Sequence, residues 1–177
     1  METCGEIITY WLCPAEPQRS QLAALIADLA ARFDAPVFEP HVTIYVTGSN
    51  EENPSTVLDK VVRGRRPYRL SVRDLGYSDE YTKTLFIQLA ADAELAQWGE
   101  DLRHASVSPS DYDLNPHMSL LYKKMDAETK RRLAASIILP FTDVKFSSVK
   151  AVLVPAEIKS HEDVEAWRVV AECILTA

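Results

Sequence analysis

Two short segments carry the same arrangement of chemistry-bearing residues. Pro40-His41-Val42-Thr43-Ile44-Tyr45 has a counterpart in Pro116-His117-Met118-Ser119-Leu120-Leu121-Tyr122, nearly half of the 177-residue chain away. Each reads Pro, His, apolar, hydroxyl, apolar. An imidazole with an ordinary pKa near 6.5 gives or takes a proton around neutral pH, so two of them make an acid–base pair. A Thr or Ser hydroxyl beside each can donate a hydrogen bond to an oxygen whose charge is rearranged during reaction. The remaining histidines, His104 and His161, stand on a helix end and in a polar stretch and read as structural or exposed.

For these groups to meet, both segments must be strands. Side chains alternate along a strand, so His41 and Thr43 share one face, as do His117 and Ser119. Val42, Ile44, Met118 and Leu120 then point into a core. By the same parity Tyr45 lies on the His41 face and edges the cleft. Proline lacks a backbone donor and tolerates the first strand position, so Pro40 and Pro116 mark where the strands begin.

The rest of the chain supplies partners for them. Strand signals cover 7–13, 42–46, 68–73, 85–90, 118–122, 141–147, 149–154 and 167–175. Leu22, Leu25, Ile26, Leu29 and Phe33 form a helix stripe over 17–33, and Leu95, Trp98, Leu102 and Ala105 form another. A short helix over 55–62 takes Ser55 as its cap, and Asp126 caps one buried through Leu133 and Ile137. Residues 106–116 are polar and aperiodic, a loop. This order predicts one α+β or mixed α/β domain over residues 1–177.

Composition narrows the function classes. Lys and Arg total 19 against 26 Asp and Glu, a formal charge of −7, which disfavours a protein that grips a long nucleic acid through its phosphates. A small anionic ligand is compatible with that charge. The one basic concentration, Lys60, Arg63, Arg65, Arg66, Arg69 and Arg73, reads as a solvated surface or as a steering patch for a phosphorylated substrate. The start carries no secretory pattern and no apolar run approaches the roughly 20 residues of a membrane span, so a cytoplasmic protein off the membrane is expected. Cys4, Cys13 and Cys173 have no metal-ligand spacing. Buried free thiols are the simpler reading; a disulfide from Cys173 to Cys4 or Cys13 is the other. No nucleotide-binding Gly-rich loop is present, and no bound metal or other cofactor is expected.

The pair His41-Val42-Thr43 and His117-Met118-Ser119 resembles the hallmark of the 2H phosphoesterase superfamily. Within it, His117-Met118-Ser119-Leu120-Leu121-Tyr122 and the opening Tyr10-Trp11-Leu12-Cys13-Pro14 are most similar to plant and fungal cyclic nucleotide phosphodiesterases. Length and element order agree over essentially the whole chain. The first motif departs in running His-Val-Thr-Ile-Tyr-Val, where a small residue or Gly often follows sooner. The resemblance implies a bilobal α+β fold: two antiparallel sheets related by a pseudo-twofold, helices on the outer faces, and one His motif from each sheet in a central cleft.

It also implies metal-independent opening of a cyclic phosphodiester on a small nucleotide. The substrate would be a 2',3'-cyclic nucleotide giving a 2'-phosphomonoester, or an ADP-ribose cyclic phosphate giving ADP-ribose 1''-phosphate. By analogy His117 is the base toward water and His41 the acid toward the leaving oxygen, with the reverse left open by the motif symmetry. Thr43 and Ser119 would bind the phosphate. Tyr122 and Trp11 either line the substrate or simply pack. Alternatives are an RNA-end or 2'-5' RNA enzyme of the same superfamily, and a module that binds nucleotide phosphates without hydrolysis. A monomer is expected.

Overall fold

The longest strand organises the molecule. In the computed structural model, which describes residues 5–51 and 53–176, β6 (Asp143–Pro155) runs unbroken through Ser147 and Ser148, where the sequence suggested two strands. Strand β1 (Glu6–Pro14) lies antiparallel along one edge of it, register Glu6↔Pro155 through Pro14↔Phe146. The other edge is shared. β3 (Tyr68–Tyr77) pairs with residues 143–146, and β7 (Arg168–Ile174) pairs with residues 148–153. One strand with two successive partners needs no turn between them, which is why the expected break is absent.

β3 divides its own pairing. Tyr68–Ser71 bond to β6, and Val72–Tyr77 bond to β4 (Leu85–Leu89), with a register shift that leaves Arg73 unopposed. β4 in turn pairs with β5 (His117–Leu121), and β1 pairs with β2 (Val42–Ser49). The order is β2-β1-β6-β3-β4-β5 with β7 beside β6, all antiparallel. Two separate sheets were expected; the described residues instead form one continuous seven-stranded sheet, because β3 hands its hydrogen bonds from one group to the other across the bulge.

The motif strands β2 and β5 end this order at opposite sides, yet they are in contact. The sheet therefore curls until its two ends meet. Helix α1 (Gln18–Phe33) helps close it, burying Leu22, Ile26, Leu29 and Ala30 while packing on β1 and β5. It stops at Asp34, whose left-handed φ of 50° ends the helical ladder. Helix α2 (Pro54–Val61) packs on β7, and α3 (Ala93–Ala105) on β2. Asn53 and not Ser55 precedes α2, since Pro54 needs no N–H partner in the first turn. Asp126 caps α4 (Ala127–Ser136) as expected, by accepting from the Thr129 N–H. A five-residue helix α5 (His161–Glu165), closed by a Ser160–Asp163 capping box, stands where the sequence read as loop.

Candidate active site

The two motifs build the same frame around each histidine. His41 Nδ1 lies 2.7 Å from the Glu39 carbonyl oxygen, and His117 Nδ1 lies 2.7 Å from that of Asn115. A carbonyl only accepts, so each Nδ1 carries the hydrogen and each Nε2 is left for chemistry. In both cases the acceptor residue precedes the proline. A residue before proline is held extended, and its carbonyl can then meet the ring two positions on. The segments that carry these carbonyls are themselves held. Lys150 and Arg19 hold the Glu39 carboxylate at 2.6 and 3.6 Å, while the Gln88 amide donates to the Asn115 side chain and the Pro116 carbonyl at 2.9 and 3.0 Å.

Both strands then bulge at the same place, three residues past the histidine. Trp11 opposes Thr43 and Tyr10 opposes Tyr45, leaving Ile44 extra; Phe86 opposes Ser119 and Leu85 opposes Leu121, leaving Leu120 extra. An extra residue reverses the alternation beyond it. The fifth residue past each histidine, Val46 and Tyr122, therefore faces the cleft with the motif residues. Simple parity placed Tyr45 there. The structure buries Tyr45 instead, its hydroxyl accepting from the Ser110 N–H at 2.7 Å and donating to the Ser110 carbonyl at 3.2 Å.

One cavity of about 330 Å³ gathers His41, Thr43, His117, Ser119, Trp11 and Tyr122. That volume is at the lower end of ordinary small-molecule clefts. Trp11 is almost buried, its indole stacked on His41 at 3.7 Å and 12°. It walls the histidine with that face, and Trp167 meets it edge-on at 5.2 Å. Tyr122 stacks on Phe38 at 4.1 Å and 13°. The Ser119 hydroxyl donates to the Thr82 carbonyl at 2.6 Å, whereas the Thr43 hydroxyl makes no hydrogen bond with the described residues.

Burial sets the electrostatics. His41 is 7% exposed, and loss of water pushes its pKa down to about 4; its hydrogen bond to Glu39 opposes this, and His117 across the cleft adds to it. His117 is also lowered, chiefly by burial, with Lys83 adding to the shift and Glu80 opposing it. The Tyr122 hydroxyl is driven upward by burial and stays protonated. Among the described residues no group of three or more His, Cys, Asp or Glu is placed to hold a metal ion.

With this geometry in place, the comparisons with known proteins are decisive for kinship. The family described as "Cyclic phosphodiesterase-like protein" matches residues 7–175. The chain belongs to that family. The match places it in the 2H phosphoesterase superfamily that the paired motifs resemble. The cyclic phosphodiesterase of Arabidopsis thaliana is 22% identical over 178 residues, covering 98% of each chain. Among solved structures, E. coli LigT complexed with 3'-AMP superposes with a TM-score of 0.62 at 13% identity over 97% of this chain and 99% of that one. A protein of Thermus thermophilus gives 0.62 at 19% identity over 96% of this chain and 97% of that one. These structures share its fold.

The phosphodiesterase-like cleft also holds residues that the sequence did not single out. Glu80, Thr82 and Lys83 come from the 3-10 turn region (Tyr81–Lys83) between β3 and β4, Tyr112 from the loop before β5, and Trp167 from the end of α5. Tyr112 is drawn in by Gly48. The loop packs so closely there that a Cβ would lie 2.6 Å from Ser108 Oγ, and the Tyr112 hydroxyl donates to the Thr43 carbonyl at 3.4 Å. The basic run stays outside the cleft lining. Arg63, Arg65 and Arg69 pair with Asp59, Asp101 and Asp143, and none of its six residues lines the cleft. His104 is exposed at the end of α3, and His161 pairs with Glu165. Cys13 and Cys173 are free thiols, and Cys4 lies outside the described residues. No helix of the described residues is long and apolar enough to cross a membrane.

Proposed function

We propose that the protein hydrolyses a phosphodiester carried by a nucleotide, with a 2',3'-cyclic nucleotide opened to its 2'-phosphomonoester. ADP-ribose cyclic phosphate, opened to ADP-ribose 1''-phosphate, is the second substrate of this kind. The observation that carries the reading is the pair of histidines with both Nε2 atoms free, each on a carbonyl-pinned frame, facing one cavity with a hydroxyl apiece. The repeated frame supports a local twofold between the motifs, which suits in-line displacement at a phosphorus between them.

His117 Nε2 takes a proton from water as the water oxygen bonds to phosphorus. The bond from phosphorus to the 3'-oxygen breaks, and that oxygen takes the proton from His41 Nε2. His117 ends protonated, His41 neutral, and exchange with solvent resets the pair. In the free protein burial favours neutral imidazole at both positions, so the bound phosphate monoanion supplies the negative field that favours a proton on His41. Thr43 donates to a non-bridging oxygen directly. Ser119 does so after leaving the Thr82 carbonyl. Trp11, Tyr122 and Trp167 form the apolar wall against the nucleoside.

A cyclic phosphate at an RNA end is the second reading. The E. coli fold relative has been solved with 3'-AMP, with ATP and with NADP+, all adenine nucleotides that carry phosphate groups, and a nucleotide phosphate as ligand suits both readings. Incubation with a 2',3'-cyclic mononucleotide, product identification by phosphorus NMR, and parallel trials of His41→Ala and His117→Ala test the main reading. Each substitution is expected to lower kcat/KM on the order of 10²-fold or more. Absence of wild-type turnover on mononucleotides, with salt-sensitive turnover on a cyclic-ended RNA, would transfer the activity to the second reading.

A further inference from the structure

Among the described residues, Glu80 and Lys83 are the Asp, Glu, Lys or Arg side chains that line the cleft, and of the two Lys83 is the cation. Lys83 Nζ rests 4.5 Å above the centre of the Phe86 ring. No carboxylate of the described residues pairs with it. Phe86 stands directly opposite Ser119 in the sheet and meets the His117 ring edge-on at 5.8 Å. The ring has room because Gly76 lies across from it in β3, where a Cβ would come within 2.5 Å of the ring.

The turn that carries Lys83 is tied to the site and braced from behind. Thr82 receives the Ser119 hydroxyl at 2.6 Å. The buried Thr84 hydroxyl is within hydrogen-bond distance of the Tyr81 and Lys123 carbonyls, 3.0 Å each. Lys130, 3% exposed at its side chain, donates to the Ser78 carbonyl and to Asp79 at 2.8 and 2.6 Å. An ammonium is thus delivered to the His117–Ser119 side of the cleft without a counterion among the described residues, and no residue matching it lines the His41 side.

We propose that Lys83 is the anion anchor of this cleft: in the free protein its ammonium waits over Phe86, and in the complex it pairs with a non-bridging oxygen of the substrate phosphate on the His117 side. The inference rests on the phosphodiester reading and gives that reading a charged contact which neither motif supplies. It also gives direction to a symmetric pair of motifs. The titratable groups around His117 are Lys83 and Glu80 from the turn and His41 across the cleft. A cation on that side opposes protonation of His117 and leaves it the base. His41, stacked on Trp11 away from the ammonium, is left as the acid.

The test uses Lys83→Met, which keeps the stem over Phe86, Lys83→Arg, which keeps the charge, and Lys83→Gln as a second neutral variant. Binding of inorganic phosphate and of a 2'-nucleotide is measured by calorimetry at fixed ionic strength, alongside kinetics on the cyclic nucleotide and NMR titration of the histidines. The neutral variants are expected to weaken phosphate and 2'-nucleotide binding about 10- to 100-fold, while Arg retains most of the affinity. The His117 titration moves to higher pH in the neutral variants, and that of His41 moves less. Unchanged anion affinity and an unmoved His117 titration in a folded Lys83→Met or Lys83→Gln protein would overturn the inference even where wild type turns over substrate. Absent wild-type turnover would remove the proposed function, while the phosphate titration would still decide the role of Lys83.

Discussion

Acid should destabilise this protein by a route that passes through one buried imidazole. His41 has a pKa of about 4 when folded, against an ordinary value of 6.5. The folded state therefore prefers the neutral ring, and below pH 6.5 the unfolded chain binds the extra proton. The contribution is fully present above pH 6.5, is lost progressively as pH falls toward 4, and then levels off. The gap between the two values corresponds to about 3 kcal/mol, of which about 2 kcal/mol is gone by pH 5. With the ring 7% exposed, solvent screening does little to reduce this. The comparison is wild type against His41→Gln, which cannot titrate, by urea denaturation at pH 7.5 and 5.0 at constant ionic strength. Wild type should lose about 2 kcal/mol more than the variant across that interval. Contributions from His117 and from Asp79, Asp101, Asp126 and Asp163, whose pKa values are also lowered, are common to both proteins and cancel in the difference. Equal losses in the two proteins would refute the claim that burial holds His41 neutral.

The lowered values at both histidines place the singly protonated free enzyme on the acid side of 6.5, so kcat/KM for a cyclic nucleotide should peak below that pH; a maximum above it would contradict the assignment. The paired bulges reverse two tyrosines that simple alternation would place the other way round, Tyr45 in the cleft and Tyr122 in the core. Tyr45→Phe should cost about 1–2 kcal/mol in denaturant melts, by stranding the Ser110 N–H, and leave KM unchanged; Tyr122→Phe should lower kcat/KM with the smaller effect on stability. Gly76→Ala should displace the Phe86 ring, costing about 1–3 kcal/mol and weakening phosphate binding, as calorimetry on the variant would register. In a Cys4→Ser background, a thiol reagent should modify Cys173 in the native protein and reach Cys13 only on unfolding, because burial raises the Cys13 thiol to about 12.

What was legible in the sequence was local. The repeated motifs, the helix stripes and most strand starts depend on residues within a few positions of each other, and the structure places them where periodicity put them. Tyr45 and Val46 exchanged roles because a bulge is a relation between strands, set by how β1 meets β2, and no feature of the residues 41–46 announces it. The continuity of β6 and of the whole sheet has the same origin: pairing partners change along β6 and β3 without any turn residue to mark the change. Lys83 stands between the strand signals of 68–73 and 85–90, where no pattern in the sequence singles it out. Its position follows from Phe86, whose ring in turn depends on a glycine in the neighbouring strand. Trp167 comes to the cleft at the end of a helix too short for a periodic signal.

The duplication explains the pair of histidines, but a working pair must be unequal, since one proton has to be given where another is taken. The repeated parts are those that aim the rings: a residue whose carbonyl accepts from Nδ1, a proline, the histidine, the hydroxyl and the bulge. The unrepeated parts are those that set their chemistry. His41 has an indole stacked on its face and a carboxylate–ammonium pair, Glu39 and Lys150, behind its carbonyl. His117 has a phenyl edge and, over that phenyl, an ammonium that no described carboxylate pairs. An indole face stabilises a protonated ring stacked on it, and a nearby ammonium destabilises one. Both influences favour the same direction of proton flow, out of His41 and into His117, and they work against the burial that holds His41 neutral until the substrate anion is bound. Exchanging the unequal surroundings, by removing Lys83 and placing a cation beside His41, should therefore impair the reaction more than either change to the repeated frame's hydroxyls, because the hydroxyls serve both directions equally and the surroundings serve one.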